Sequence, residues 1–381
     1  MEVYFDNGAT TKPAEEVVQE MAMAMVEYFG NPSSLHTLGL KSQRKLTEAR
    51  ESISAQLNCT KEEIFFTSGG SESNNMIIKG LAKSGNHIIT TKFEHSSVLN
   101  TLKDLESQGV KVTYLDVDEL GFINFEDLTE AINKDTVLIS IMHVNNEIGS
   151  IQNLEAIGNI IKERSKRAKF HVDGVQGYGK IKIDVKKCNI DFYSASAHKL
   201  HGPKGIGFCY IRKGLNVNSL ITGGGQEGGM RAGTENLPGC LAFVKASELS
   251  FKDLDNHYNN VLDIKKYFID KLSEIKDIKI NSPLQDNISP YVLNVSFLGI
   301  RAEVLLHMLE EKGIFVSTGS ACSSKAANTK GSHVLNAIGL TDKYIQGSIR
   351  FSFSRYNTKE EVDYVIDNLK KSLQFLRRLK I

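Results

Sequence analysis

The stretch IDFYSASAHKLHGPKGIGFCYIRK, residues 190–213, sets two short, nearly unbroken apolar runs on either side of a lysine and a Gly-Pro turn. Runs of this length and character read as strands buried on both faces of a sheet. The same texture extends back to residue 60. EIFFTSGG (63–70), HIITTKFEH (87–95), KVTYLDVD (111–118), TVLISIMHV (136–144) and KFHVDG (169–174) are further strand candidates. Amphipathic helical patterns lie between many of them. Strands alternating with helices predict an α/β unit with a mainly parallel sheet.

Beyond residue 238 the pattern changes. Residues from about 238 to 275 read as one long helix. YVLNVSFLG (291–299) and GSIRFSFSR (347–355) alternate strictly, as half-exposed antiparallel strands do. The last helix opens with a capping-box pattern, Thr358 to Glu361, and carries the apolar stripe Val362, Val365, Ile366, Leu369, Leu373 and Leu376. The expectation is a large α/β domain over 15–255 and a smaller α+β domain over 256–381, with residues 1–14 packing on the latter.

The chain has 381 residues, enough for two domains, with 41% apolar and 24% charged residues and a net charge of +1. That balance gives no basic excess for nucleic acid and no acidic tail. No apolar run reaches the ~18 residues that cross a bilayer. The N-terminal MEVYFDNGATT lacks the features of a secretory signal. Five scattered cysteines fit a reducing cytoplasm, and none has metal-ligand spacing, so no structural metal is expected.

In an open α/β sheet, ligands sit at the carboxyl ends of the strands. The strand ends of this chain are chemically distinctive. Thr67-Ser68-Gly69-Gly70-Ser71 is a hydroxyl- and glycine-rich turn into a helix, a candidate phosphate cradle, though neither a Walker loop nor G-x-G-x-x-G. Then come His95, Asn146, Asp173 with Gln176, and Ser196, His198 and Lys199 at successive strand ends. Each has a plain structural reading on its own: a helix cap, a core-edge histidine, a turn, a surface lysine. Pyridoxal phosphate has use for all of them together. Its phosphate wants hydroxyls and backbone amides, its ring nitrogen a carboxylate, its phenolic oxygen a donor, and its aldehyde a lysine that captures it as a Schiff base.

SASAHKLHGPKGIG, HVDGVQGYGK, MHVNNEIG, RAGTENLPG and STGSACSS, in that set, resemble the cysteine desulfurases. These form part of the class V branch of fold-type I pyridoxal-phosphate enzymes. The resemblance runs from VYFDNGATT through FGNPSSLHTLG to IRFSFSRYNT, essentially the whole chain. It implies a homodimer whose large domain has a mainly parallel seven-stranded sheet. It implies Lys199 as the Schiff-base lysine and acid/base, Asp173 at the ring nitrogen, Gln176 at the phenolic oxygen and His95 on the ring face. Gly70, Ser71, Ser196 and His198 would hold the phosphate, joined by Thr234 from the partner subunit. Asn146 and Arg350 would hold the substrate carboxylate. Cys322, in a run of small polar residues, would take the sulfur of L-cysteine as a persulfide, leave L-alanine and pass the sulfur to an acceptor protein. An iron–sulfur scaffold or a thiolation enzyme is such an acceptor. The long span between Cys322 and Arg350 resembles the group with a long catalytic loop. Where relatives often carry Ala-Thr, this chain has Gly70-Ser71. A class V aminotransferase, cysteine lyase or selenocysteine lyase, and a non-catalytic scaffold, stay open as alternatives.

Overall fold

The computed structural model describes residues 1–318 and 331–379. In chain order its strands are Val3–Tyr4 (β1), Ile64–Thr67 (β2), His87–Thr91 (β3), Lys111–Leu115 (β4), Thr136–Met142 (β5), Lys169–Asp173 (β6), Phe192–Ser196 (β7), Gly207–Ile211 (β8), Ile278–Ile280 (β9), Val292–Phe297 (β10), Ile314–Phe315 (β11) and Ser348–Ser352 (β12). All seven runs singled out between residues 63 and 213 are strands of one sheet, ordered β2-β8-β7-β6-β5-β3-β4. β8 alone runs opposite to the other six strands. Because β2 and β7 both oppose β8, the carboxyl ends of β2, β3, β5, β6 and β7 share one edge.

The apolar runs are buried on both faces because consecutive side chains of a strand point to opposite sides. Ile89, Ile139 and Phe208 enter one core with Leu46, Ile53, Leu154 and Phe243. Their neighbours Ile88, Leu138 and Cys209 enter a second core with Met76, Val98 and Leu102. Helices therefore cover both faces. A further apolar cluster packs Val3, Phe5, Phe268, Leu305 and Leu369 against Val295, Phe297, Ile349 and Phe351 of the antiparallel sheet β12-β10-β9.

Two expectations are corrected. The long helix is two helices, Leu237–Phe251 and Leu254–Leu272, broken at Lys252 and Asp253, where Asp253 leaves helical geometry at φ −142°, ψ 44°. Leu249 and Phe251 pack on the main-sheet core, whereas Val261, Ile264 and Phe268 belong to the cluster on the antiparallel sheet. The chain turns because its apolar face must switch from one core to the other. The alternating strands β10 and β12 do pair antiparallel, but both are buried throughout. Their polar side chains are tolerated inside because each makes at least one hydrogen bond, although Asn294 Nδ2 and Arg350 Nε have no partner. Ser348 donates to Asn294 Oδ1 at 2.8 Å, and Ser352 Oγ accepts from Gly8 N at 2.7 Å.

The final helix, Lys359–Leu379, starts as expected: Glu361 Oε2 accepts from Thr358 N at 2.9 Å and Thr358 Oγ1 from Glu361 N at 3.3 Å. Its apolar stripe is buried.

Candidate active site

Asp173 ends β6 and is buried. Its Oδ2 accepts from Asn74 Nδ2 at 2.8 Å and its Oδ1 from Val175 N at 3.1 Å. The same Asn74 amide reaches Ser97 Oγ at 2.9 Å, and that oxygen meets His95 Nδ1 at 2.8 Å. His95 caps the helix Ser96–Ser107, its Nδ1 accepting from Ser97 N at 3.1 Å. An acceptor role there places the proton on Nε2 in the neutral ring. Burial lowers the His95 pKa; Asp173 pulls it up, while Lys199 and His333 push it further down. The carboxylate, the imidazole and the lysine thus act on one another at the same strand edge.

Lys199 ends a single 3₁₀ turn, Ala197–Lys199, directly after β7. Its Nζ donates to the carbonyls of Gly8 at 2.6 Å and Ala9 at 2.8 Å. The Gly8 carbonyl also accepts from Gln176 Nε2 at 2.9 Å. Gly8 has no side chain for a reason: a Cβ there would press on Ser352 Oγ at 3.0 Å and Arg350 Cζ at 3.3 Å.

The turn after β2 places Gly69 at φ 154°, ψ −178°, a conformation open in practice only to glycine. The helix Gly70–Leu81 begins there, and the amides of its first turn have no acceptor within the helix. Ser196 is buried at the end of β7, facing that turn: a Cβ on Gly69 would lie 3.6 Å from its Oγ. His198 Nδ1 meets Thr10 Oγ1 at 3.2 Å. Burial, then Lys199, Lys204 and Lys180, push the His198 pKa down to about 4, so the ring is neutral.

Arg350, buried on β12, donates from Nη1 to the backbone oxygen of Asn146 at 2.9 Å and from Nη2 to Asp6 Oδ1 at 2.9 Å. Its Nε is buried without a partner. The Asn146 contact is through its main chain, a finer point than the sequence allowed. Thr234 is exposed. The segment carrying it is tied to the start of helix Gly70–Leu81 by Arg231 Nε and Glu72 Oε1 at 3.0 Å. Cys322 lies outside the described residues. Of the other cysteines, Cys188, Cys209 and Cys240 are buried and Cys59 half-buried, and burial raises the pKa of all four thiols.

Asn74, Ser97, Asp6, Gly8 and Lys180 belong to this constellation, and the reading of the sequence misses them. Asn74 carries a signal, a polar residue on the otherwise apolar face of helix Gly70–Leu81. Asp6 and Gly8 carry none, since they come from the first ten residues and arrive by chain crossing.

These residues fit pyridoxal phosphate by their chemistry: a buried carboxylate, an amide donor, a half-buried imidazole, a lysine, and a glycine turn with free helix-end amides. Asn74, whose Nδ2 binds Asp173, has its Oδ1 buried without a partner. Among the described residues, no group of three or more His, Cys, Asp or Glu side chains could hold a metal, and no helix is long and apolar enough to cross a membrane.

The class V aminotransferase family profile matches residues 3–365. The cysteine desulfurase IscS of Clostridium botulinum (strain Hall) is 46% identical over 384 residues, covering 99% of this chain and 96% of its own length. That of Methanosarcina thermophila is 45% identical, with 99% and 93% covered. A solved NifS-like protein superposes with a TM-score of 0.92 at 40% identity, over 98% of this chain and all of its own. A solved SspA, in complex with cysteine, matches at a TM-score of 0.80 and 35% identity over 93% of this chain. The chain belongs to the class V aminotransferase family of fold-type I pyridoxal-phosphate enzymes, in its cysteine desulfurase branch.

Proposed function

We propose that this chain is a pyridoxal-phosphate-dependent cysteine desulfurase that converts L-cysteine to L-alanine and transfers the sulfur. The observation that carries the reading is the meeting of Lys199, Asp173, Gln176 and His95 at one sheet edge. Bound there, pyridoxal phosphate supplies an electron sink for negative charge developing at the substrate's α-carbon. Asp173, held by Asn74, keeps a carboxylate at the ring nitrogen, and Gln176 offers its amide to the phenolic oxygen. His95 covers the ring face. The amides of Gly70 and Ser71 with the hydroxyls of Ser71 and Ser196 hold the phosphate, beside His198. Thr234 of a second copy completes that set. Lys199 would hold the cofactor and would move the proton at the substrate's α-carbon. The guanidinium of Arg350, beside Asn146, binds the substrate carboxylate in a two-pronged geometry suited to it. Cys322 takes the sulfur and holds it as a persulfide for an acceptor protein, an iron–sulfur scaffold or a thiolation enzyme.

In this reading residues 15–255 are the cofactor-binding domain, and 256–381 with the first 14 residues the smaller one. A homodimer is supported by Val26, Phe29, Leu35, Leu38 and Leu40, exposed apolar side chains close together in sequence; Leu35 is 92% exposed. A cytoplasmic site of action fits the free thiols.

The test is alanine and sulfide release from L-cysteine, with reductant, for wild type and Cys322→Ala, both first shown to carry the yellow cofactor band. Loss of sulfide release with the band retained supports the assignment of Cys322 as sulfur carrier. Equal turnover by both proteins removes Cys322 from the chemistry and favours a lyase or aminotransferase.

A further inference from the structure

Lys180 is a lysine in the interior, 8% exposed, four residues beyond Gln176. Its Nζ donates to Gln176 Oε1 at 3.1 Å and lies 5.4 Å from the ring centre of Tyr291. Gln176 in turn donates to the Gly8 carbonyl, the acceptor it shares with Lys199. The two lysines are therefore joined by a short chain: Lys180 to Gln176, Gln176 to Gly8, Lys199 to Gly8. A lysine head only donates and a carbonyl only accepts, so the two ends fix which way the Gln176 amide points.

Lys180 and Lys199 also line one cleft. Its other titratable or charged walls are His201, His257, Tyr291 and Arg355, and none of its lining residues is acidic. Burial pushes His201 down to about 4 and lowers His257, so both rings are neutral; burial raises Tyr291, which keeps its proton. Arg350 adds a further positive charge acting on Lys180, His198 feels both lysines, and His95 feels Lys199 together with a nearby anion, the Asp173 carboxylate. An amine buried without a carboxylate partner is costly, and a Met of similar length would pack there without that cost. Lys265, also deeply buried, caps the Ser289 carbonyl at 3.1 Å. Lys180 instead has a site residue as its hydrogen-bond acceptor.

We propose that Lys180 is a positioning residue for Lys199: it locks the Gln176 amide and, as a second amine in the same cleft, biases the Lys199 nitrogen toward its unprotonated form. Two neighbouring amines with little water between them compete for protons, and a nearby cation is an established way to free a lysine for attack on a carbonyl. Burial, then Lys199 and Arg350, bring Lys180 itself down to about 7, so Lys180 acts as a cation on its neighbour chiefly below that pH, whereas an arginine in its place keeps its charge throughout. Lys199 must be unprotonated both to capture an aldehyde and to accept a proton from the substrate.

The inference rests on the pyridoxal-phosphate reading, and the experiment separates the two. Wild type, Lys180→Met and Lys180→Arg are loaded with pyridoxal phosphate, and the visible band of the bound cofactor is followed as pH is raised. Absence of any band in wild type would sink the cofactor reading. With the band present, its midpoints are expected in the order Arg, wild type, Met, with Arg and Met about one pH unit apart, tenfold in proton affinity. A purely structural role for Lys180 gives no such ordering by charge. Coincident Arg and Met midpoints overturn the proposal. Should Lys180→Arg melt with the unfolded signature at room temperature, Lys180→Gln replaces it. Both neutral variants must then titrate alike and no lower than wild type, and a Gln midpoint that differs from that of Met overturns the proposal equally.

Discussion

One side-chain nitrogen of Asn74 lies 2.8 Å from the Asp173 carboxylate and 2.9 Å from the Ser97 hydroxyl, which itself meets His95. A single amide thus ties the group for the ring nitrogen to the group for the ring face. A hydrogen bond to a charged partner contributes roughly 1.5–3 kcal/mol. Asn74→Ala is therefore expected to weaken pyridoxal-phosphate binding by about tenfold or more, since it frees both the carboxylate and the imidazole. Titration of cofactor into the stripped protein, read by absorbance, checks this. Binding as tight as wild type would show that Asp173 and His95 need no such tie.

The turn that receives the phosphate is constrained from behind. A Cβ on Gly70 would run into Val175 Cγ2, closer than real Cβ atoms approach any neighbour. An alanine at 70 does not fit this chain as it stands. Gly70→Ala should destabilise by about 1–3 kcal/mol, the usual cost of overpacking. Val175→Ala in the same chain should recover most of that loss. Denaturant melts of the two single variants and the double variant test it. Additive effects in the double-mutant cycle would show that the two positions do not meet.

The sheet was legible because its strands are buried on both faces and read as apolar runs. The strand-end residues His95, Asp173, Gln176 and Lys199 were legible because an open sheet puts its ligands there. The residues that escaped reading came from elsewhere in the chain. Asp6 and Gly8 reach Arg350 and Lys199 by crossing from the N-terminus, a contact that no local pattern encodes. The helix break at Asp253 escaped because neither glycine nor proline marks it; only the change of core does. Period-two alternation in β10 and β12 correctly gave strands but not exposure, because buried serines and asparagines that pair with one another look like a solvated face.

Glu94 gives the last prediction. It is fully buried; Oε1 accepts from Thr91 Oγ1 at 2.8 Å and Met142 N at 2.9 Å, while Oε2 has no partner. Burial pushes its pKa up to about 8; the two hydrogen bonds oppose this and Asp173 adds to it. The unfolded chain releases this proton near pH ~4.3. Between about 4.3 and about 8 the folded protein holds a proton that the unfolded chain does not, so stability from this group falls as pH rises. The contribution is complete below the lower value and gone above the upper one. Glu94→Gln is neutral at every pH and lacks that slope. Its unpaired amide costs a constant amount, and the buried His143 and His171 are common to both proteins. The stability of Glu94→Gln relative to wild type should therefore rise with pH from about 5 to about 8, by up to about 1.4 kcal/mol per pH unit. Urea melts at three pH values spanning that window measure it. A constant difference across the three would mean that Glu94 is already ionised inside the folded protein, with a counter-charge supplied at its Oε2.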